Sequence, residues 1–352
     1  LGSPNIDCRQ DGAKLDASSR GAYLFNTTIA GIEQADAILL VGTDPRKEAP
    51  IVNARILKRA KQGGLKVGVI GPRTDLTYDY DYIGAGPQSL KDLGSFGDVL
   101  KDASHPMIVV GQGALSRKDG AAVLAEALSL AKSIGAISGE WNGFNVLHTA
   151  AARVAGLDLG LVPGEGGRDV EGILEGASGG EIDVVHLLGA DEIDMNRLGK
   201  AFVIYQGTHG DAGAHRADVI LPGAAYTEKD ATWVNTEGRV QLGRRAVFPP
   251  GSAREDWAIL RALSGVLGKT LPYDDLAAVR AAMEADAPHF AMTDIVTPAS
   301  EMPSLPGGAL DDAPFETPVR DFFMTNPIAR ASAVMAECSA GRAAAARIQA
   351  AE

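Results

Sequence analysis

Ala37-Ile38-Leu39-Leu40-Val41-Gly42-Thr43-Asp44-Pro45 is the stretch that decides the fold. Five consecutive apolar residues, rather than an alternation, are what a parallel sheet buried on both faces requires. The strand stops at Gly42, and the turn Thr43-Asp44-Pro45 leads to a helix expected from about Pro50 to Gln62, Pro being suited to a first helical turn. Gly63-Gly64 ends that helix, and Lys66-Val67-Gly68-Val69-Ile70 supplies the next strand. The pattern recurs. Asp183-Val184-Val185-His186-Leu187-Leu188 ends at Gly189; Ala190-Asp191-Glu192 and a shorter helix to Gly199 should follow, then Ala201-Phe202-Val203-Ile204-Tyr205. Both copies place Gly and a carboxylate at the carboxyl end of the first strand, where open α/β sheets bind ligands.

Outward from these copies, Met107 to Val110 reads as a further strand followed by Gly111-Gln112-Gly113 and a helix from about Asp119 to Ile134. Ala217 to Pro222 is a short strand cut off by proline, and a helix is expected from about Asp256 to Leu267. From Pro298 to Pro318, five prolines and a Gly-Gly pair predict an extended strap or linker. Beyond it Asn326 caps a helix with Pro327 at its first position. Ile328, Ala331, Met335 and Cys338 fall on one stripe, with Arg330 and Glu337 facing elsewhere. The strap and this helix, with Phe315, Phe322, Phe323 and Met324, are expected to clamp onto the chain's own body or a neighbour. The expected fold is α/β: two doubly wound, Rossmann-like parallel-sheet lobes, residues 1–155 and 156–272, then residues 273–352 as helix, Pro-rich strap and C-terminal helix.

The 352 residues suffice for two cores, and the formal charge of −12 repels phosphate backbones, so no nucleic-acid partner is expected. No apolar run approaches the roughly 18 residues of a membrane span. The chain opens at Leu1 with no basic-then-apolar leader, which suggests a segment or processed product of a longer protein. Cys8 and Cys338, its two cysteines, cannot furnish an iron–sulfur cluster or a structural zinc site, and fit a reducing compartment.

Several motifs invite chemistry. Gly176-Ala177-Ser178-Gly179-Gly180 matches the G-x-S-x-G nucleophile pattern, but a helical segment precedes it and a strand follows, the reverse of what that elbow needs. His209, Asp211, His215 and Asp218 share one glycine-rich loop that could hold a transition metal; their spacing matches no metal-helix motif, and a structural or interface loop is expected. Gly111-Gln112-Gly113 is half a dinucleotide fingerprint, and Gly164-Glu165-Gly166-Gly167 would aim a negative charge into any phosphate it bent around. The turn Gly42-Thr43-Asp44-Pro45-Arg46-Lys47 offers backbone N–H groups and two cations to a pyrophosphate, opposed by Asp44. The second strand of that unit ends in Gly71-Pro72-Arg73, where a nucleotide fold would want an acid.

Four blocks resemble one family: Ala35 to Pro45 with Glu48-Ala49-Pro50; Tyr205 to Pro222; Asn235-Thr236-Glu237-Gly238-Arg239-Val240-Gln241; and Met324-Thr325-Asn326-Pro327-Ile328-Ala329-Arg330-Ala331-Ser332. They are similar to the C-terminal part of the large iron–sulfur subunit of NADH:ubiquinone oxidoreductase, respiratory complex I. That part is in turn similar to the molybdopterin-guanine-dinucleotide oxidoreductases. The resemblance implies 2Fe-2S and 4Fe-4S clusters in an N-terminal portion outside this chain, and other peripheral-arm subunits as partners. It also implies a place on the cytoplasmic face of a bacterial inner membrane or the mitochondrial matrix side. An active molybdopterin relative would carry Asn at the position of Asp44, Asp at that of Gly71, and a C-terminal barrel not found after Gln241. Gly42, Thr43, Asp44, Pro45, Gly71, Asn235, Arg239 and Gln241 are thus vestigial candidates for cofactor contacts. No catalytic or metal-binding residue and no cofactor is expected within the chain. Arg239 is expected to hold structure. The alternative is a living molybdopterin enzyme domain, with Gly42 to Lys47 on one dinucleotide and Asn235 to Gln241 on the other.

Overall fold

The computed structural model describes residues 2–299 and 301–351 and places the opening strand at the centre of a five-stranded, wholly parallel sheet. Its strands are β1 (Ala37–Val41), β2 (Lys66–Ile70), β3 (Asp81–Gly84), β4 (Pro106–Val110) and β5 (Phe144–Val146), in the order β3-β2-β1-β4-β5. Every β1 residue is buried. Ile38 and Leu40 pack on one face with Val52 and Ile56 of helix α1 (Pro50–Lys61). Leu39 and Val41 pack on the other with Leu100 of α2 (Phe96–Asp102) and with Val123, Leu124, Ala127 and Leu128 of α3 (Gly120–Ser133). Truncating any of these large side chains to Ala would cost about 2–5 kcal/mol. The chain walks outward from β1 to β3 and returns to β4 on the opposite side of β1. The carboxyl ends of β1 and β4 therefore flank the point where strand order reverses.

Helix α4 (Arg153–Asp158) and α5 (Val170–Gly179) lead to a second parallel sheet. It contains β6 (Val184–Leu188) and β7 (Phe202–Gly207), and, after α6 (Ala212–Arg216), β8 (Val219–Pro222), in the order β8-β7-β6. Here the continuous burial expected from the sequence is not found. Val185, Leu187, Val203 and Tyr205 pack under Leu174 and Ala177 of α5, while on the opposite face Val184, Leu188, Phe202 and Val219 are 56%, 50%, 46% and 40% exposed. Continuous apolar strands are thus covered on one face only by the described residues. The short helix expected before Gly199 is likewise absent: Gly189 turns in the left-handed region, and only one 3₁₀ turn, Met195–Leu198, forms, its start held by the Asp194 side chain accepting from Asn196 N.

An antiparallel hairpin of β9 (Ala231–Val234) and β10 (Val240–Gly243), then α7 (Asp256–Val266) and α8 (Leu276–Asp286), complete the body. The described residues of the strap have no regular structure and cross the first sheet's unit: Phe315 is buried, its N–H donates to Ala85 O, and Arg117 donates to the carbonyls of Ala313 and Pro314. The single C-terminal helix expected from Pro327 is two, α9 (Pro327–Arg330) and α10 (Ala333–Ala351), broken at Ala331-Ser332. Ile328 and Ala331 are exposed while Met335 and Cys338 are half-buried, so the four-residue stripe does not dock as a unit. No helix among the described residues is long and apolar enough to cross a membrane.

Candidate functional site

At the switch point, β1 and β4 converge through glycines. A Cβ on Gly42, which has φ +57°, would lie 2.6 Å from Ala114 Cβ, and one on Gly111 would lie 2.3 Å from Thr43 Cβ. This close approach builds a cradle of buried donors: the Thr43 hydroxyl and the N–H groups of Asp44 and Gln112. Glu48 fills it. Its carboxyl accepts from Thr43 Oγ1 at 2.8 Å, Asp44 N at 2.7 Å and Gln112 N at 3.3 Å. Burial pushes this carboxyl up to about 7, with the Asp44 and Gln112 N–H groups and the Thr43 hydroxyl holding it down and the Asp44 charge adding to the rise.

The cations proposed for a pyrophosphate are spent elsewhere. Lys47 Nζ lies 3.1 Å from Asp44 Oδ2, which also accepts from Thr74 Oγ1, and Arg46 pairs with Asp75. Pro45 is buried at the start of a one-turn helix. Gly71 lies behind the turn, its N–H donating to Gly84 O. The strap forms the lid: a Cβ on Gly113 would lie 2.2 Å from Glu316 O and 3.3 Å from Pro318 Cδ. The hydrogen bonds of Asn235 and Arg239 go to partners outside this cradle. Asn235 Oδ1 accepts from the N–H groups of Glu237 and Arg239, closing the hairpin turn. Arg239 reaches Glu237 Oε1 at 3.0 Å and Asp294 O, while Glu237 Oε2 accepts from Ile29 N. Gln241 is exposed on β10. The turn suggested for a second dinucleotide therefore ties the hairpin to the N-terminal segment and to the residues just before the strap.

The carboxyl end of the second sheet is also taken by the chain itself. Asp191, Glu192 and Asp211 surround the guanidinium of Arg330, a residue the stripe pattern turned away from the body. Burial raises Asp191 to about 6, with Arg330 opposing and Asp211 and Glu192 adding. The other motifs singled out in the sequence lie apart from these two clusters or at their edge. Asp218 accepts from Val203 N, His209 Nδ1 bonds Thr208 and His215 is exposed, and among the described residues no three His, Cys, Asp or Glu side chains are placed to hold a metal ion. Ser178 ends helix α5 in solvent, and the Gly164–Gly167 loop packs on Pro4. Burial pushes the Cys8 thiol up to about 11, away from the nucleophilic thiolate.

Sequence reasoning missed Glu48 and Arg330 as occupants. Glu48 had a signal: a carboxyl reaching back to the N–H of the residue before a helix is the logic of a capping box, here one residue later than usual.

The molybdopterin oxidoreductase family model matches residues 1–266. A second model, for the C-terminal region of the NADH-ubiquinone oxidoreductase G-subunit, matches residues 295–338. Over 97% of its length the chain is 44% identical to a Solanum tuberosum protein, the mitochondrial NADH dehydrogenase [ubiquinone] iron-sulfur protein 1. Over 96% it is 42% identical to the mitochondrial NADH-ubiquinone oxidoreductase 78 kDa subunit of Candida albicans. It spans 46% and 48% of those two relatives, about half their length. Acetylene hydratase from Pelobacter acetylenicus aligns structurally at 14% identity with a TM-score of 0.42, covering 74% of this chain and 53% of that one.

Proposed function

Because the chain belongs to the molybdopterin oxidoreductase family, and its extensive curated relatives are NADH-ubiquinone oxidoreductase subunits, we propose that it is a structural scaffold. On this reading it forms part of the large iron–sulfur subunit in the peripheral arm of complex I. The whole complex would pass electrons from NADH to quinone and couple this to proton translocation. Iron–sulfur clusters carried elsewhere in the subunit would do the transfer, and this segment would hold neighbouring peripheral-arm subunits. Its place would be the cytoplasmic face of a bacterial inner membrane, or the matrix side in mitochondria.

The observation that carries the reading is the Glu48 carboxyl seated on Thr43, Asp44 and Gln112. The family implies a pterin dinucleotide, and the residues present do not fit one. A phosphate entering the cradle would have to displace Glu48 and settle beside the buried Asp44 carboxylate, and the Glu316 carbonyl over Gly113 closes the approach. No chemical step is therefore assigned to these residues. The test is Thr43→Ala in the assembled complex. Lower stability or yield with unchanged NADH:quinone turnover per assembled complex supports a scaffold; slowed turnover at normal assembly overturns it.

A further inference from the structure

The C-terminal arm, residues 319–344, is joined to the rest of the body in an unusual way. Among the described residues, Arg330 makes every hydrogen bond and ion pair between this arm and the two sheets with their helices. The other polar contacts of the arm are internal or reach only the adjoining strap: Asp321 with Ser339, Asn326 with Ala329 N, Arg320 with Glu316. The guanidinium is divided among three acceptors. Nε donates to Asp211 Oδ2 at 2.6 Å, one terminal nitrogen to Glu192 Oε1 at 3.1 Å, and the other to Asp191 Oδ1 at 3.1 Å.

The acceptors are themselves built in. Asp191 is buried, and its second oxygen accepts from the buried Tyr205 hydroxyl. Glu192 Oε2 accepts from Gln10 Nε2, and Asp211 Oδ1 from Ala212 N at the start of α6. Two carboxylates come from the turn after β6 and one from the loop after β7, so the set stands at the carboxyl end of the parallel sheet. A planar fork with donors along three edges matches this arrangement, and an ammonium point charge does not.

We propose that Asp191, Glu192 and Asp211 form a guanidinium-binding site at the carboxyl end of the second sheet, with Arg330 as its resident ligand and, among the described residues, the single polar tie that docks the C-terminal arm. The site thus uses the ligand-binding end of an α/β sheet to recognise a segment of its own chain. This goes beyond the scaffold reading and does not depend on it, since it concerns one contact within this chain.

The test uses the full chain. In Arg330→Ala, hydrogen exchange at residues 322–332 should quicken by about tenfold or more, while amides of the first sheet keep their protection. Arg330→Lys should restore only part of that protection, because one ammonium cannot serve three carboxylates at once. Methylguanidinium titrated into Arg330→Ala should bind saturably and shift the Tyr205 resonances, and ethylammonium, of equal charge without the fork, should bind at least several-fold more weakly. Wild-type protection of residues 322–332 in Arg330→Ala would show that other contacts dock the arm. Equal binding of the two cations, or no saturable binding of methylguanidinium, would show an acidic patch rather than a guanidinium site. Any of these results overturns the proposal.

Discussion

Replacing Glu48 with Ala should destabilise the protein most in mild acid, and the difference should fade as the pH rises. The substitution leaves the Thr43 hydroxyl and the Asp44 and Gln112 N–H groups without their acceptor, and these three residues are only 3%, 2% and 1% exposed. An orphaned buried donor costs about 1–3 kcal/mol. The 3.3 Å Gln112 contact is weak, so the loss should be about 2–4 kcal/mol where the wild-type carboxyl is neutral. Burial raises this carboxyl from 4.5 in the unfolded chain to about 7 in the fold. The folded state therefore holds its proton more tightly. The group's contribution is full below 4.5 and is lost as pH rises through 7. The shift is worth up to about 3 kcal/mol. Wild type and Glu48→Ala should then differ by about 2–4 kcal/mol at pH 5 and by about 1 kcal/mol or less at pH 8. Urea unfolding at the two pH values measures this directly. A difference that stays constant or grows between pH 5 and 8 would refute the seating of Glu48 as a buried carboxyl in the cradle.

Gly113→Ala should lift the strap, because its Cβ would meet Glu316 O at 2.2 Å and Gly42 O at 2.7 Å; faster proteolysis between Pro303 and Pro318 would report it, and unchanged cleavage would argue against the lid. Arg239→Ala breaks the links to Glu237 and Asp294 O and should cost about 1–2 kcal/mol, lowering Tm while leaving electron transfer per assembled complex unchanged; normal Tm with slowed turnover would contradict it. Asp158 has a wholly buried carboxylate that accepts from Arg20 at 2.9 Å, Tyr23 Oη at 2.7 Å and His289 Nε2 at 2.9 Å. Asp158→Ala should cost about 3–5 kcal/mol by stranding Arg20, and a loss under about 1 kcal/mol in denaturant titration would show that the hub is dispensable.

The strands that carry the first sheet, β1, β2 and β4, were legible because each is a nearly unbroken apolar run. β3 was not, since Asp81-Tyr82-Ile83-Gly84 is a short edge strand with little to bury. β5 was hidden by Asn145, a polar residue at 0% exposure whose amide oxygen accepts from Thr27 N and Oγ1. Its burial depends on a partner 118 residues away that no local pattern reveals. The same distance effect concealed the candidate sites. The turn at Gly42 to Pro45 was found because strand, glycine and proline lie in sequence, but its lid comes from Glu316, and the second site's occupant lies 119 to 139 residues beyond its acceptors. In the tail, helical spacing put Arg330 on the solvent side, yet three carboxylates anchored on the second sheet outweighed the apolar stripe that was expected to dock.

The most direct test of the central claim is molybdenum, tungsten and pterin analysis of the purified intact complex containing this chain. A cradle filled by Glu48 and lidded by Glu316 predicts no stoichiometric metal and no pterin fluorescence after oxidation. One molybdenum or tungsten per complex, released together with a pterin, would contradict it.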